Sequence, residues 1–273
     1  MLNRFFSDQL RLGLAQALAA AVVAFAVVLL ARRRKIHLER ETTVALLRGL
    51  VQIVAVGSLL VLLLKAPRWT GVFLLAAMMG AAGATSARRA KGLPGAFEVS
   101  TWSIACGAGT VIAIMTWLGV IGTAITTLIP VGSMLIANAM NTNGLVLNRF
   151  RSDVLAHVGE IETALSLGAD PRESVRPYAQ ASMEASLIPA IDSLRSLGIV
   201  WIPGLMAGML LSGSRPIYAA IYQFVVLAMI FAASGLTSLI STLLIRTRAF
   251  TPADQLLLRP GTSEIPKRSE GSL

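Results

Sequence analysis

Long runs without charge constrain this chain more than any other feature. A bilayer crossing needs roughly 20 consecutive apolar residues in a helix. Seven such runs are found: Leu12–Ala31, Val44–Leu64, Thr70–Ala87, Val99–Leu118, Ile125–Leu147, Ser186–Leu211 and Ile217–Ile245. Inside a bilayer every backbone polar group must be satisfied within the protein, so helices are the solution for runs of this length. The sequence therefore predicts an all-α, polytopic integral membrane protein with about seven transmembrane helices. Composition agrees: 55% of residues are hydrophobic and 14% are charged, against about 25% charged in a soluble domain.

The net charge of +10 is a topology signal before it is a nucleic-acid signal, because the basic residues flank the apolar runs and aromatics are few. No nucleic-acid partner is expected. Of 24 Lys and Arg residues, 17 fall in segments 32–43, 88–98, 148–185 and 246–273, and 5 fall on the opposite side. The positive-inside rule places the richer side in the cytoplasm. The N-terminus is expected outside and the C-terminus inside. The first run ends in "RRRK" rather than at a small-residue cleavage site, and is longer than a signal-peptide core, so it reads as a retained helix. Residues 1–246 form the transmembrane domain, with one long cytoplasmic loop at 148–185. Residues 247–273, rich in Pro, Ser, Gly and charge, read as a disordered tail. The single cysteine, Cys106, rules out a disulfide framework within one chain.

The long loop looks like a piece of a soluble protein. Asp153 to Leu167 reads as a helix, with Val154, Val158, Ile161 and Leu165 on one stripe. Gly168 is placed to close it in a left-handed cap. Asp170 is an N-cap, Pro171 sits at N1, and Glu173 completes a capping box for a second helix. Helix, tight turn and helix on a cytoplasmic face is a shape for another protein to grip.

Inside the spans the polar residues are few. Asp192 and Arg195, at i and i+3, either neutralise each other or present a cation site at Asp192. Arg48, one turn from a span end and sharing a face with Gln52, is expected to snorkel. Asn138 and Asn141, with Asn143 beside them, either bond between helices or line a polar path. Pro203 must break or kink its helix. Gly204 and Gly208 form a G-x-x-x-G spacing that suits helix packing or a hinge. Met134, Met140, Met206 and Met209 offer soft thioethers or fill space. His37 and His157 stand apart from any carboxylate cluster, and no metal-ligand constellation is expected.

The loop segment "ETALSLGA", carrying Glu162, Ala164 and Gly168, resembles the coupling loop of ABC transporter permeases, with Thr163 where that family has a further alanine. The stretches "LRGLVQIVAVG" (47–57), "IPVGSMLIANAMNTNGLVLNR" (129–149) and "ASLIPAIDSLRSLGIVWIPGLMAGMLLSG" (185–213) resemble the FetB family of bacterial iron-export permeases, to which plant aluminium-tolerance permeases belong. That resemblance covers Val44 to Ile245. It implies a multi-pass protein of the bacterial inner membrane, a permease dimer, and a separate cytoplasmic ATPase gripping Glu162, Ala164, Gly168 and Asp170. It further implies export of a cargo such as iron. The chain has no phosphate-binding G-x-x-x-x-G-K-[ST] loop, so ATP and Mg belong to the partner. No bond chemistry is expected of this chain. The expected translocation path takes Asn138, Met140, Asn141, Asp192, Arg195, Pro203, Gly204, Met206 and Gly208. A secondary transporter driven by an ion gradient through Asp192 is the alternative, and a membrane-embedded enzyme would have to rely on Asp192 and Glu184.

Overall fold

A computed structural model describes residues 9–33, 39–63, 67, 69–90 and 92–258. These divide into two compact units, Met1–Ala66 and Pro67–Leu273. The first unit pairs α1 (Gln9–Arg33) with α2 (Glu39–Leu63). Each holds an apolar stretch, Ala15–Leu30 in α1 and Thr42–Ser58 in α2. Arg48 and Gln52 are exposed on α2.

The second unit is a bundle of α3 (Trp69–Arg89), α4 (Ala96–Trp117), α5 (Ile125–Ala156), α8 (Arg176–Ser196) and α10 (Pro216–Arg248). Three short helices, α6 (Val158–Ser166), α7 (Pro171–Ser174) and α9 (Gly204–Leu211), complete it. α3, α4 and α10 are long and apolar enough, by length and composition, to cross a membrane. α5 and α10 form the centre: α5 packs on α3, α4, α8 and α10, and α10 packs on α4, α5, α8 and α9.

Within lipid, burial of apolar surface does little to drive helices together, so close packing and polar contacts must do so. Both are present. A side chain at Gly107 of α4 would collide with Thr237 of α10, and one at Gly83 of α3 with Thr101 of α4. Asn143 of α5, fully buried, donates to the Ser86 hydroxyl at 2.8 Å and the Ser100 hydroxyl at 2.9 Å, tying α5 to α3 and α4. The amide that the sequence left between two roles is thus an interhelical knot. A second apolar cluster gathers at the loop end, where Phe150, Val154, Ile161 and Val175 meet Leu256 and Leu258.

Four expectations change. The sixth span is not one helix: α8 stops at Ser196, and α9 begins only at Gly204. Between them Gly198 has φ +76° and donates its N–H to the Trp201 carbonyl at 3.0 Å. Pro203 therefore precedes α9 as its cap instead of kinking a continuous rod. The loop helix does not start at Asp153, because α5 runs on to Ala156 and breaks at His157, whose φ of −120° is non-helical. Glu173 turns its carboxylate to Arg176 and Arg246 instead of closing a capping box. Finally, part of the expected disordered tail is packed: Phe250 bridges Leu256, and Leu256 and Leu258 are buried. Residues 259–273 lie outside the described residues.

Candidate functional site: a coupling loop and a neutral cavity

Two features of the second unit carry functional geometry. The first is the α6–α7 loop. The stripe predicted from the sequence anchors it: Val154 and Ile161 are buried, while Val158 and Leu165 pack partly against the same cluster. Glu160 accepts a hydrogen bond from the Tyr178 hydroxyl at 3.1 Å, and the Tyr178 ring stacks on His157 with centroids 4.9 Å apart. Burial, then the Glu160 carboxylate, push the Tyr178 hydroxyl above its ordinary pKa. Gly168 closes α6 at φ +88°, a conformation cheap only for glycine, and the Ala169 N–H reaches the Ala164 carbonyl at 3.0 Å. Asp170 caps α7 by accepting from the N–H groups of Arg172 and Glu173 at 2.8 and 3.3 Å.

The opposite face of α6 is free. Glu162 is exposed and makes no hydrogen bond or ion pair among the described residues. Leu167, at the tip, is 83% exposed. The sequence offered no functional role for Leu167; its signal was position, two residues past the stripe and one before the glycine. α7 is held from behind by Arg246 of α10, which donates to the Arg172 carbonyl at 2.8 Å and pairs with Glu173 at 3.2 Å.

The second feature is a cavity of about 260 Å³ between α5, α8, α9 and α10. Asn138 and Asn141 line it from α5, and Pro203 and Gly204 from the α8–α9 break. The other residues expected on the path do not line it: Met140, Asp192, Arg195, Met206 and Gly208. Asp192 and Arg195 lie 3.8 Å apart and are 61% and 78% exposed. Among the described residues of this unit, no atom of another helix lies within 4 Å of where a side chain at Gly204 or Gly208 would begin. Asn138 donates to the Met134 carbonyl at 2.8 Å, and the Asn141 carbonyl oxygen accepts from Arg89 at 3.1 Å. Met134 shares the wall, whereas Met209 does not.

Sequence reasoning passed over Gln223, Ser234, Ser186 and Pro189, which also line the cavity. Gln223 was legible as the lone amide in the last apolar run. Pro189 was legible as a proline inside a helical pattern. The hydroxyls gave no signal, since serines are common in membrane helices. Among the described residues no group of three or more His, Cys, Asp or Glu side chains is arranged to hold a metal ion.

Long apolar helices, a broken helix beside a polar cavity and an exposed helical loop at one end define a multi-pass helical membrane protein of transporter type. The chain belongs to the family described as "Uncharacterised protein family (UPF0014)", whose pattern matches residues 14–250. It is 34% identical to "UPF0014 membrane protein STAR2" of Oryza sativa subsp. japonica, over 87% of this chain and 84% of that protein. It is 31% identical to "Protein ALUMINUM SENSITIVE 3" of Arabidopsis thaliana, over 89% and 90%. Its identity to "Probable iron export permease protein FetB" of Escherichia coli (strain K12) is 30%, over 90% and 94%. No solved structure matches the chain.

Proposed function

We propose that this chain is the permease subunit of an ABC transporter, driven through α6 and α7 by a separate cytoplasmic ATPase that binds ATP and Mg. The observation that carries this reading is the two-sidedness of α6. Ile161 is 1% exposed on one face, while the other presents an unpartnered Glu162 and a Leu167 that is 83% exposed. An apolar knob beside a lone charge, on a helix anchored through Ile161 to the buried cluster, is a surface suited to be held and to pass on motion. Bond chemistry then belongs to the ATPase.

The charge asymmetry supports an orientation with the loop in the cytoplasm and the N-terminus outside. The bacterial relatives support a plasma-membrane location, and one permease chain of this size supports a homodimer. Export, with iron or another metal as cargo, is the reading supported by the printed name of the E. coli relative. Nothing about Asp192 favours the ion-gradient alternative, since it is 61% exposed and stands outside the cavity wall.

The test is gentle solubilisation of the tagged chain from its native membrane, comparing wild type with Glu162→Lys. A co-purifying ATPase with a phosphate-binding loop, lost on charge reversal, is the expected outcome. Failure to recover any such ATPase from wild type would overturn the reading.

A further inference from the structure

Four observations on the cavity between α5, α8, α9 and α10 point one way. First, its wall contains no Asp, Glu, Lys, Arg, His or Cys. Second, Gln223 is 1% exposed, and its side-chain oxygen accepts the Met206 backbone N–H at 3.2 Å. A backbone N–H can only donate, so the oxygen must face it. The amide NH2 is thereby turned away, and it has no partner among the described residues. Third, the Ser234 hydroxyl, also 1% exposed and on the same wall, has no partner among the described residues. Fourth, the carbonyl oxygen of Asn141 is engaged by the Arg89 guanidinium, which leaves its NH2 as the free end.

Gln223, Asn141 and Ser234 therefore offer donors to the cavity, while Asn138, whose NH2 is given to the Met134 carbonyl, offers one amide oxygen. An unpaired buried amide is destabilising, and that cost is removed when a partner enters. A bare metal cation needs oxygen, nitrogen or sulfur lone pairs. Here the carbonyl oxygens of Gln223 and Asn141 each already accept a hydrogen bond, Asn138 alone of the three amides turns an unengaged oxygen to the cavity, and Arg89 adds a like charge behind Asn141. An anion would meet N–H groups, but Arg89 stands outside the wall with the Asn141 oxygen between, and no charge in the wall itself offsets the anion's desolvation.

We propose that this cavity binds an uncharged solute rich in oxygen hydrogen-bond acceptors, and that Gln223 is the residue that selects it. A metal carried by this route travels inside a ligand shell that presents such oxygens. The role of the cavity as a cargo site rests on the transporter reading above; its preference for an uncharged solute does not.

The test uses the full chain in native membranes in a Cys106→Ser background, with a single cysteine placed by Ser234→Cys. Three thiosulfonate reagents of similar size are compared: neutral hydroxyethyl, cationic trimethylammonium-ethyl and anionic sulfonatoethyl. The neutral reagent is expected to label at least about tenfold faster than either charged one. Asn138→Cys, across the cavity, is expected to show the same order. Gln223→Met, which keeps the size but removes the donors, is expected to slow the neutral reagent several-fold, since apolar cavities stay dry. Labelling by the cation as fast as by the neutral reagent, fastest labelling by the anion, or no labelling at either cysteine would each overturn the proposal. Loss of ATPase co-purification would strike the transporter reading and leave these rates unchanged.

Discussion

Arg246 and Glu173, far apart in sequence, are joined by an ion pair of 3.2 Å. Arg246 lies in the last turn of α10 and Glu173 in α7, so the pair fastens the loop to the helix that also walls the cavity. Removing the guanidinium by Arg246→Gln is expected to leave ATPase binding intact. It should raise hydrogen exchange at residues 171–176 several-fold and lower transport per ATP hydrolysed. Unchanged exchange in that segment would mean that the clamp is idle.

The same carboxylate sets a pH window. The hydrogen bond from Arg176, helped by the charges of Arg176 and Arg246 and opposed by desolvation, holds Glu173 below the ordinary glutamate pKa. Its folded pKa is thus lower than its unfolded one. The stability it contributes is present above the ordinary value and is lost as pH falls through the folded value. The difference in melting temperature between wild type and Arg246→Gln should hold constant from neutral pH to the ordinary glutamate range, and shrink below it.

Gly168 is expected to tolerate Asn better than Ala or Val. At φ +88° a Cβ carries a penalty of roughly 1–2 kcal/mol. Gly168→Val should lower the melting temperature and loosen ATPase binding together, because the strained turn sits beside Leu167. Leu167→Asp should weaken ATPase binding alone, with stability within about 0.5 kcal/mol of wild type. Melting curves and co-purification measured on the same samples separate the two effects.

Gly107→Val should be the most damaging substitution in α4. A Cβ there would lie 2.7 Å from the Thr237 Cα and backbone N, so α4 and α10 must separate. The expected cost is about 1–3 kcal/mol, read as a fall in the melting temperature of the purified protein. Thr237→Ala added to Gly107→Val should recover little, because the collision is with backbone.

Much of this architecture was written in the apolar runs. Six of the seven spans correspond to single helices, because a run of that length in lipid has few alternatives to a helix. The stripe Val154, Val158, Ile161 and Leu165 gave the buried face of the loop, and Gly168 and Asp170 gave its turn, since both are local chemistry. The break at 197–203 was misjudged because Ile199, Val200 and Ile202 are as apolar as any helix residue, and Gly198 alone did not announce a left-handed turn. The cavity was half legible. Asn138 and Asn141 stand out in an apolar segment, but Gln223 and Ser234 acquire meaning only when α10 is laid beside α5 and α8. The reach of Arg246 to Glu173 is tertiary, and no spacing rule foretells it.

α10 runs without interruption from Pro216 to Arg248. Gln223 and Arg246 therefore stand about 35 Å apart along one axis, at 1.5 Å per residue. A rod of that length is a lever. Tilting it by about 5° at the clamp sweeps the far end through roughly 3 Å, about the length of one hydrogen bond. If α7 is pulled as the proposed coupling requires, a pivot of α10, without bending or unwinding, would suffice to move the Gln223 amide away from a solute bound there.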